Sequence, residues 1–272
     1  MAIPRHLTMQ NPSKAQLRLW SRLDKVKTRE ETGLFLAEGF KVVQALLESR
    51  WDVQALLILE EKKDRWAAFC ETLPVSLPLY GLTRKEWKGL TQDVSPEGIL
   101  AVGITPPRLQ LADLMAKGAR GPLLLLHEIN NPGNLGTLVR TALWFGFAGV
   151  VLSQGSVDPL NPKVIRAAMG SIFHVPFLFG ADLSKVLPRV KENFHVVGSS
   201  VRTGTLPHAC GEKTALLLGS ESHGLPETLL KLTDEQWHIP RRGVGESLSL
   251  PQAAAILMYE CVRSAPSRAA RP

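Results

Sequence analysis

The chain is poor in the features that mark secreted, membrane-embedded and metal-dependent proteins. Its three cysteines, Cys70, Cys210 and Cys261, are odd in number and far apart, which supplies neither a disulfide framework nor a zinc knuckle. Reduced, structural thiols are the expectation. No apolar run approaches the roughly 18 residues that crossing a bilayer requires, and the opening MAIPRHLTMQ has no apolar signal core, so a cytoplasmic protein without membrane contact is expected. The 7 histidines show neither the H-x-x-x-H nor the H-x-E spacing that metal hydrolysis and zinc deamination need, and no metal is expected. G-x-G-x-x-G and G-x-x-x-x-G-K-[ST] are both missing, which removes the usual dinucleotide and triphosphate cradles and disfavours an oxidoreductase or a kinase. No G-x-S-x-G elbow frames a serine nucleophile.

What is present is the balance of a globular protein, 44% hydrophobic and 21% charged, with 272 residues to form one large domain or two ordinary ones. A formal net charge of +7 points to a polyanionic partner, most simply nucleic acid. The most informative stretch is NNPGNLGTLVRTALWFGFAGVVL, residues 130–152, preceded by the apolar run LLLLHEI. It reads as strand, loop, helix, strand. Residues 123–129 have the continuous apolar character of a buried strand, and Asn131, Pro132, Gly133 and Asn134 supply turn chemistry and a helix N-cap. Leu135, Leu138, Val139 and Ala142 then recur at helical spacing, Gly146 can end the helix, and residues 149–152 resume a strand. The resulting βαβ unit places Asn134 and Arg140 at the end of a strand and on the helix that leaves it, where open parallel sheets bind their ligands.

Residues 1–32 form a basic extension in which Lys14, Arg18, Arg22, Lys25, Lys27 and Arg29 are scattered among Leu17, Trp20 and Leu23. Asn11, Pro12 and Ser13 can start a helix there, read equally well as a solvated amphipathic helix or as an RNA-contacting arm. Residues 33–105 alternate helices at about 39–48, 63–73 and 83–90 with strands at 55–59 and 98–104, which predicts a small α/β domain. Thr105, Pro106, Pro107 and Arg108 break the pattern, and a short helix in LADLMAKG follows. Residues 106–264 repeat the alternation. After the βαβ unit come helices at 162–169, 181–192, 227–232 and 252–262, and strands at 174–178, 194–199, 215–218 and 236–239. The expected fold is α/β, with a C-terminal, mostly parallel sheet covered by helices behind a small α/β domain. Residues 265–272 read as a disordered tail.

Three loops of the second domain are rich in glycine and small polar residues, at 130–134, 219–225 and 240–249, and each follows a strand. In a parallel sheet all three lie on the carboxyl edge and can build one pocket. Gly219, Gly224, Gly243 and Gly245 let backbone approach a flat ligand closely, although any one such loop is equally an ordinary turn. His127 and His223 lie near this edge and are read as structural. Ser249 is read as the N-cap of the last helix, with Pro251 tolerated in its first turn.

Together the three loops resemble the three signature motifs of the SpoU (TrmH) family of RNA ribose 2'-O-methyltransferases, within the SPOUT class. NNPGNLGTLVRTA resembles the first, ALLLGSESHGLP the second and IPRRGVGESLSLPQAAAILMYE the third, in order and at compatible separations. FLAEGFKVVQALLES and VSPEGILAVGI resemble the substrate-binding domain that precedes the catalytic domain in many of these enzymes. The resemblance covers about residues 12–264. It implies a deep trefoil knot, a homodimer with the active site at the subunit interface, and S-adenosylmethionine as cofactor. It also implies that the backbone around Gly219, Ile239 and Leu248 contacts the cofactor, with Ser220, Glu221, Gly224, Ser247 and Ser249 close by. Asn134 and Arg140 would face the ribose and phosphate of the target nucleotide, with Arg140, Asn134, Glu221 and Ser247 as the catalytic set. Ser249 stands where the family commonly has Asn, and Ser222 where it commonly has Gly or another small residue. Ribosomal RNA is the expected substrate because an RNA-binding domain precedes the catalytic one. The alternatives are transfer RNA, an antibiotic-resistance modification of ribosomal RNA, or an RNA-binding protein of this fold without turnover.

Overall fold

The structure, a computed structural model, describes residues 9–91, 95–116, 120–244 and 247–264. The expected tail at 265–272, the first eight residues of the basic extension, and Gly245 lie outside the described residues. The chain forms two compact units, Met1–Pro107 with Leu160–His174, and Arg108–Pro159 with Val175–Pro272.

The first unit opens with α1 (Lys14–Trp20) and α2 (Val26–Thr32). Ser13 caps α1 in a reciprocal box with Gln16, which satisfies two of the helix's orphan donors. There follow β1 (Leu34–Glu38), α3 (Phe40–Leu47), β2 (Val53–Leu59), α4 (Lys63–Glu71), β3 (Leu79–Leu82), α5 (Arg84–Lys88) and β4 (Ile99–Ile104). The strands form a mixed sheet in the order β1-β4-β2-β3. Sequence periodicity passes over β1 and β3. β1 reads BBBBi in burial, with no in–out alternation, and β3 is only four residues long with Gly81 inside it. Trp20, Leu23, Leu57, Leu82 and Trp87 close this unit's core.

The second unit begins with α6 (Leu111–Leu114), β5 (Leu123–Leu126), α7 (Pro132–Trp144) and β6 (Gly149–Ser153). Next in the chain is α8 (Pro162–Ala168), which buries Val164, Ile165 and Ala168 against the first unit, packing on β1. The segment that carries it is anchored there by Phe173, whose ring lies 5.8 Å from that of Phe35 and 5.3 Å from that of Trp51. β7 (Phe177–Ala181) starts three residues later than the apolar pattern predicts. Residues 171–173 form a 3-10 turn, and Pro176 has no N–H for a ladder, so it can only accept, from Val150 N–H at 2.9 Å. The chain continues through α9 (Leu183–Lys191), β8 (His195–Ser200), β9 (Thr214–Leu218), α10 (Glu227–Leu230), β10 (Glu235–His238) and α11 (Leu250–Val262).

The order β10-β8-β9-β5-β6-β7 is parallel at every pairing. Strands covered on both faces carry unbroken apolar runs, hence LLLL in β5 and TALLL in β9, all buried. Leu123, Leu125, Ala215 and Leu217 face a core shared with Leu187 and Val190 of α9. Among the described residues no helix is long and apolar enough to cross a membrane.

The edge of this sheet is held by Asp234, which accepts from the Val196 N–H at 2.8 Å and pairs with Lys191 at 2.8 Å. Burial pushes its carboxyl pKa up, but the Lys191 ammonium and the Val196 N–H outweigh that and hold it below the ordinary value. A depressed carboxylate contributes stability above its unfolded pKa of about 3.9 and loses it as pH falls through the lower folded value. Asp234→Asn is therefore expected to melt at lower temperature than the parent at pH 7, with the gap closing below about pH 4; thermal melts between pH 3 and 7 check it.

Candidate active site

The chain winds outward from β5 in two directions: α7 leads to β6 on one side, while β9 lies on the other and leads on past β8 to β10. The carboxyl ends of β5 and β9 thus flank a topological switch point, where the departing loops diverge and leave a crevice.

The β5 loop is shaped before α7 begins. Glu128 has φ of 51°, a conformation that a non-glycine side chain adopts at some cost, and its N–H is held by Ser153 Oγ at 2.8 Å while Ile129 N–H is held by Ser156 Oγ at 3.1 Å. Sequence reasoning missed this trio because nothing in a glutamate or two serines signals it. Asn131 then caps α7, accepting from Gly133 N–H at 2.8 Å and Asn134 N–H at 3.2 Å, and Pro132 fills the first turn without wasting a donor. With Asn131 spent on the cap, Asn134 is free to reach outward. Its Nδ2 donates to Glu221 Oε2 at 2.7 Å.

Glu221 belongs to a turn closed at its base by backbone alone. Ser220 N–H donates to Gly224 O at 3.2 Å and Gly224 N–H returns to Ser220 O at 2.9 Å, with Gly224 at φ of 66°. A Cβ at Gly219 would stand 2.1 Å from the Gly224 carbonyl carbon, so only glycine permits this closure. The Ser220 hydroxyl accepts from His223 N–H at 3.2 Å and serves the turn itself, while Glu221, Ser222 and His223 are left exposed. One residue past the paired Leu126 and Leu218, His127 donates its N–H to Leu218 O at 2.9 Å; its ring Nδ1 is buried without a partner among the described residues.

Arg140 is exposed on α7 and pairs with no carboxylate among the described residues. Thr137 and Thr141, on the same polar side of the helix, return their hydroxyls to the carbonyls of Gly133 and Thr137 at 2.9 Å each. The third loop is tied in less directly. Ile239 is half-buried after β10, Ser247 and Leu248 are exposed, and no hydrogen bond joins them to the Gly219 turn among the described residues. Ser249 is the N-cap of α11, as the sequence leads one to expect, with Pro251 in the first turn, but its hydroxyl makes no capping hydrogen bond. Pro251, at the second helical position, removes one of the two N–H groups that an N-cap oxygen can bond and leaves that of Gln252. What fixes the loop's exit is α11 packing along α7, with the Phe145 and Tyr259 rings 6.2 Å apart. Among the described residues no cluster of three His, Cys, Asp or Glu side chains is placed to hold a metal.

A parallel α/β unit whose switch-point loops meet, beside a smaller mixed-sheet unit, is the architecture of a two-unit α/β protein that takes its ligand at the carboxyl edge of the parallel sheet. The profile of the SpoU rRNA methylase family matches residues 122–259, and that of the MRM3-like substrate binding domain matches residues 14–101. The chain belongs to the SpoU rRNA methylase family. It is 32% identical over 88% of its length, and 93% of the relative's, to the 23S rRNA (guanosine(2553)-2'-O)-methyltransferase RlmP of Bacillus subtilis. It is 26% identical over 95% of its length, and 92% of the relative's, to a 23S rRNA (uridine(2479)-2'-O)-methyltransferase of Streptomyces viridochromogenes. Among solved structures, a putative RNA methyltransferase of the TrmH family from Porphyromonas gingivalis superposes with a TM-score of 0.79 at 27% identity, covering 94% of this chain and 100% of that one.

Proposed function

We propose that the chain transfers a methyl group from S-adenosylmethionine to a ribose 2'-hydroxyl of ribosomal RNA, at the crevice between the β5 and β9 loops. The observation that carries this reading is the 2.7 Å hydrogen bond from Asn134 to Glu221, which joins the first two signature loops across 87 residues of sequence. Two relatives that match nearly full length are named as 23S rRNA 2'-O-methyltransferases, which favours ribosomal over transfer RNA as the substrate, and a ribosomal substrate is in keeping with a cytoplasmic protein. One is named for a guanosine and the other for a uridine, so the feature they share is the ribose and not the base.

The residues present suit the cofactor. The glycine-closed turn offers main chain in place of side chains beside the partnerless Nδ1 of His127, the kind of donor and acceptor edge that reads an adenosine. Gly219, Ser220 and Gly224 would hold one side of it, with Ile239, Leu248 and Ser249 on the other, their segments passing through a trefoil knot. When bound, S-adenosylmethionine would supply a methyl group on a sulfonium, whose transfer to an oxygen requires that oxygen to lie in line with the carbon–sulfur bond. Holding that oxygen in line is the chain's contribution, and positioning of this kind supplies much of the acceleration in such displacements. A guanidinium is a poor proton acceptor or donor in such a step, so the role of Arg140 is to stabilise the developing alkoxide and grip the adjacent phosphate. The Asn134 amide fixes one Glu221 oxygen, leaving the other to accept or orient the hydroxyl proton, and Ser247 is the third-loop residue proposed to complete the set. Arg140→Ala is expected to lower methyl transfer to 23S rRNA by at least about 100-fold while calorimetric titration still shows S-adenosylmethionine uptake. Near-normal turnover would remove Arg140 from the mechanism, and no uptake by the parent chain would leave an RNA-binding protein without catalysis.

The same unit exposes an apolar face at Leu143, Trp144, Ile256 and Tyr259 of α7 and α11, with Trp144 84% exposed. Singly exposed apolar residues are ordinary, but a contiguous group on two packed helices marks an interaction surface. A second copy of the chain, bringing the two active sites to the interface, is the occupant proposed. Light scattering is expected to give a dimer for the parent and a monomer for Trp144→Glu; a monomeric parent at micromolar concentration contradicts it.

A further inference from the structure

Cys210 and Cys261 are 51 residues apart in sequence and meet in the fold. Cys210 lies in the loop between β8 and β9, and its N–H donates to the carbonyl of Cys261 in the last turn of α11 at 3.0 Å. The two sulphurs are 2.7 Å apart, both as free thiols. A backbone hydrogen bond between the same two residues holds them in this register, so the approach is built into the main chain and does not depend on side-chain rotamers alone. Cys261 is fully buried, whereas Cys210 is partly exposed. Reactive cysteines occupy partly exposed, electropositive surroundings, and inert ones are buried in apolar ones.

Cys210 has the partial exposure of the first kind, with His208 and Glu235 both close by. The Cys261 thiol beside it, then the Thr214 side chain and the nearby His208, lower its pKa against the opposing effects of burial and of the Glu235 carboxylate. His208 is itself biased towards its charged form by the Ala209 carbonyl and by Glu235 Oε1 at 3.0 Å. The hydrogen bond with Cys210, and then burial, push the Cys261 thiol up. Cys70, in α4 of the first unit, has no such neighbours: burial alone pushes its thiol up to about 11.

We infer that Cys210 and Cys261 form a reversible dithiol–disulfide couple that staples the end of α11 to the β8–β9 loop under oxidising conditions. The co-reactant is a low-molecular-weight disulfide such as glutathione disulfide. The Cys210 thiolate attacks one of its sulphurs, forming a mixed disulfide and releasing one glutathione thiolate. The Cys261 thiol then gives up its proton and attacks the Cys210 sulphur, releasing the second. Two protein thiols are oxidised by two electrons, and one glutathione disulfide is reduced to two glutathiones. The closed loop spans residues 210–261 and so contains the Gly219 turn, β10 and the third signature loop. Cross-linking a loop of this length narrows the unfolded ensemble and raises thermal stability.

Purified full-length protein, reduced and then equilibrated with glutathione disulfide, tests it. The expected result is loss of two titratable thiols, a peptide map joining Cys210 to Cys261 within one chain, and a melting temperature raised by roughly 5–10 °C, all reversed by dithiothreitol. Cys70→Ser is expected to behave as the parent and Cys210→Ser to show no cross-link. A mixed disulfide that persists at Cys210, a bond to Cys70 or between two chains, three thiols still titratable, or a linked protein that melts no higher than the reduced one overturns the inference.

Discussion

The arrangement of the second unit depends on where β9 sits. By lying between β8 and β5 rather than at an edge, it sets its carboxyl end beside that of β5, and only this adjacency lets a side chain at position 134 meet one at position 221. The hydrogen bond between Asn134 and Glu221 is short and partly charge-assisted, and it closes the crevice at the point where the two loops part. Everything around it fixes its two ends. Asn131 is used as the cap so that Asn134 is not, and Gly219 and Gly224 shut the turn so that Glu221 projects from its tip.

Legibility in the sequence followed the strength of local rules. α7 was readable almost residue by residue, because an asparagine cap, a proline at the first turn, helical spacing and a terminal glycine all agree. The parallel sheet was readable from its unbroken apolar runs. β1 and β3 were not, since one lacks alternation and the other is too short to show a period. The packing of residues 160–174 with the first unit was hidden because an apolar helix face does not say which core it joins. The three glycine-rich loops were each unremarkable alone and became informative as an ordered set. Their meeting through residues 134 and 221 is a consequence of strand order, which no local pattern encodes.

Two side chains illustrate how position overrides type. Ser249 has the identity and the backbone angles of a helix cap, yet its hydroxyl makes no bond to the helix, where Pro251 already takes away one of the two donors it could serve. Ser220 is the reverse: a small polar residue in a glycine-rich loop, suited to a ligand, is occupied by its own turn through His223. The main chain of that turn, the exposed Glu221 and Arg140, which meets no carboxylate among the described residues, are what these two loops offer for chemistry.

The central claim is that the β5 and β9 loops act as one site, and a double-mutant cycle on methyl transfer to 23S rRNA tests it most directly. Asn134→Ala, Glu221→Ala and the double variant are compared by kcat/KM. Groups that work as a unit are not additive, and a coupling of about 0.5–3 kcal/mol is expected, with the double variant little worse than the more damaged single one. Strict additivity of the two losses would contradict the account.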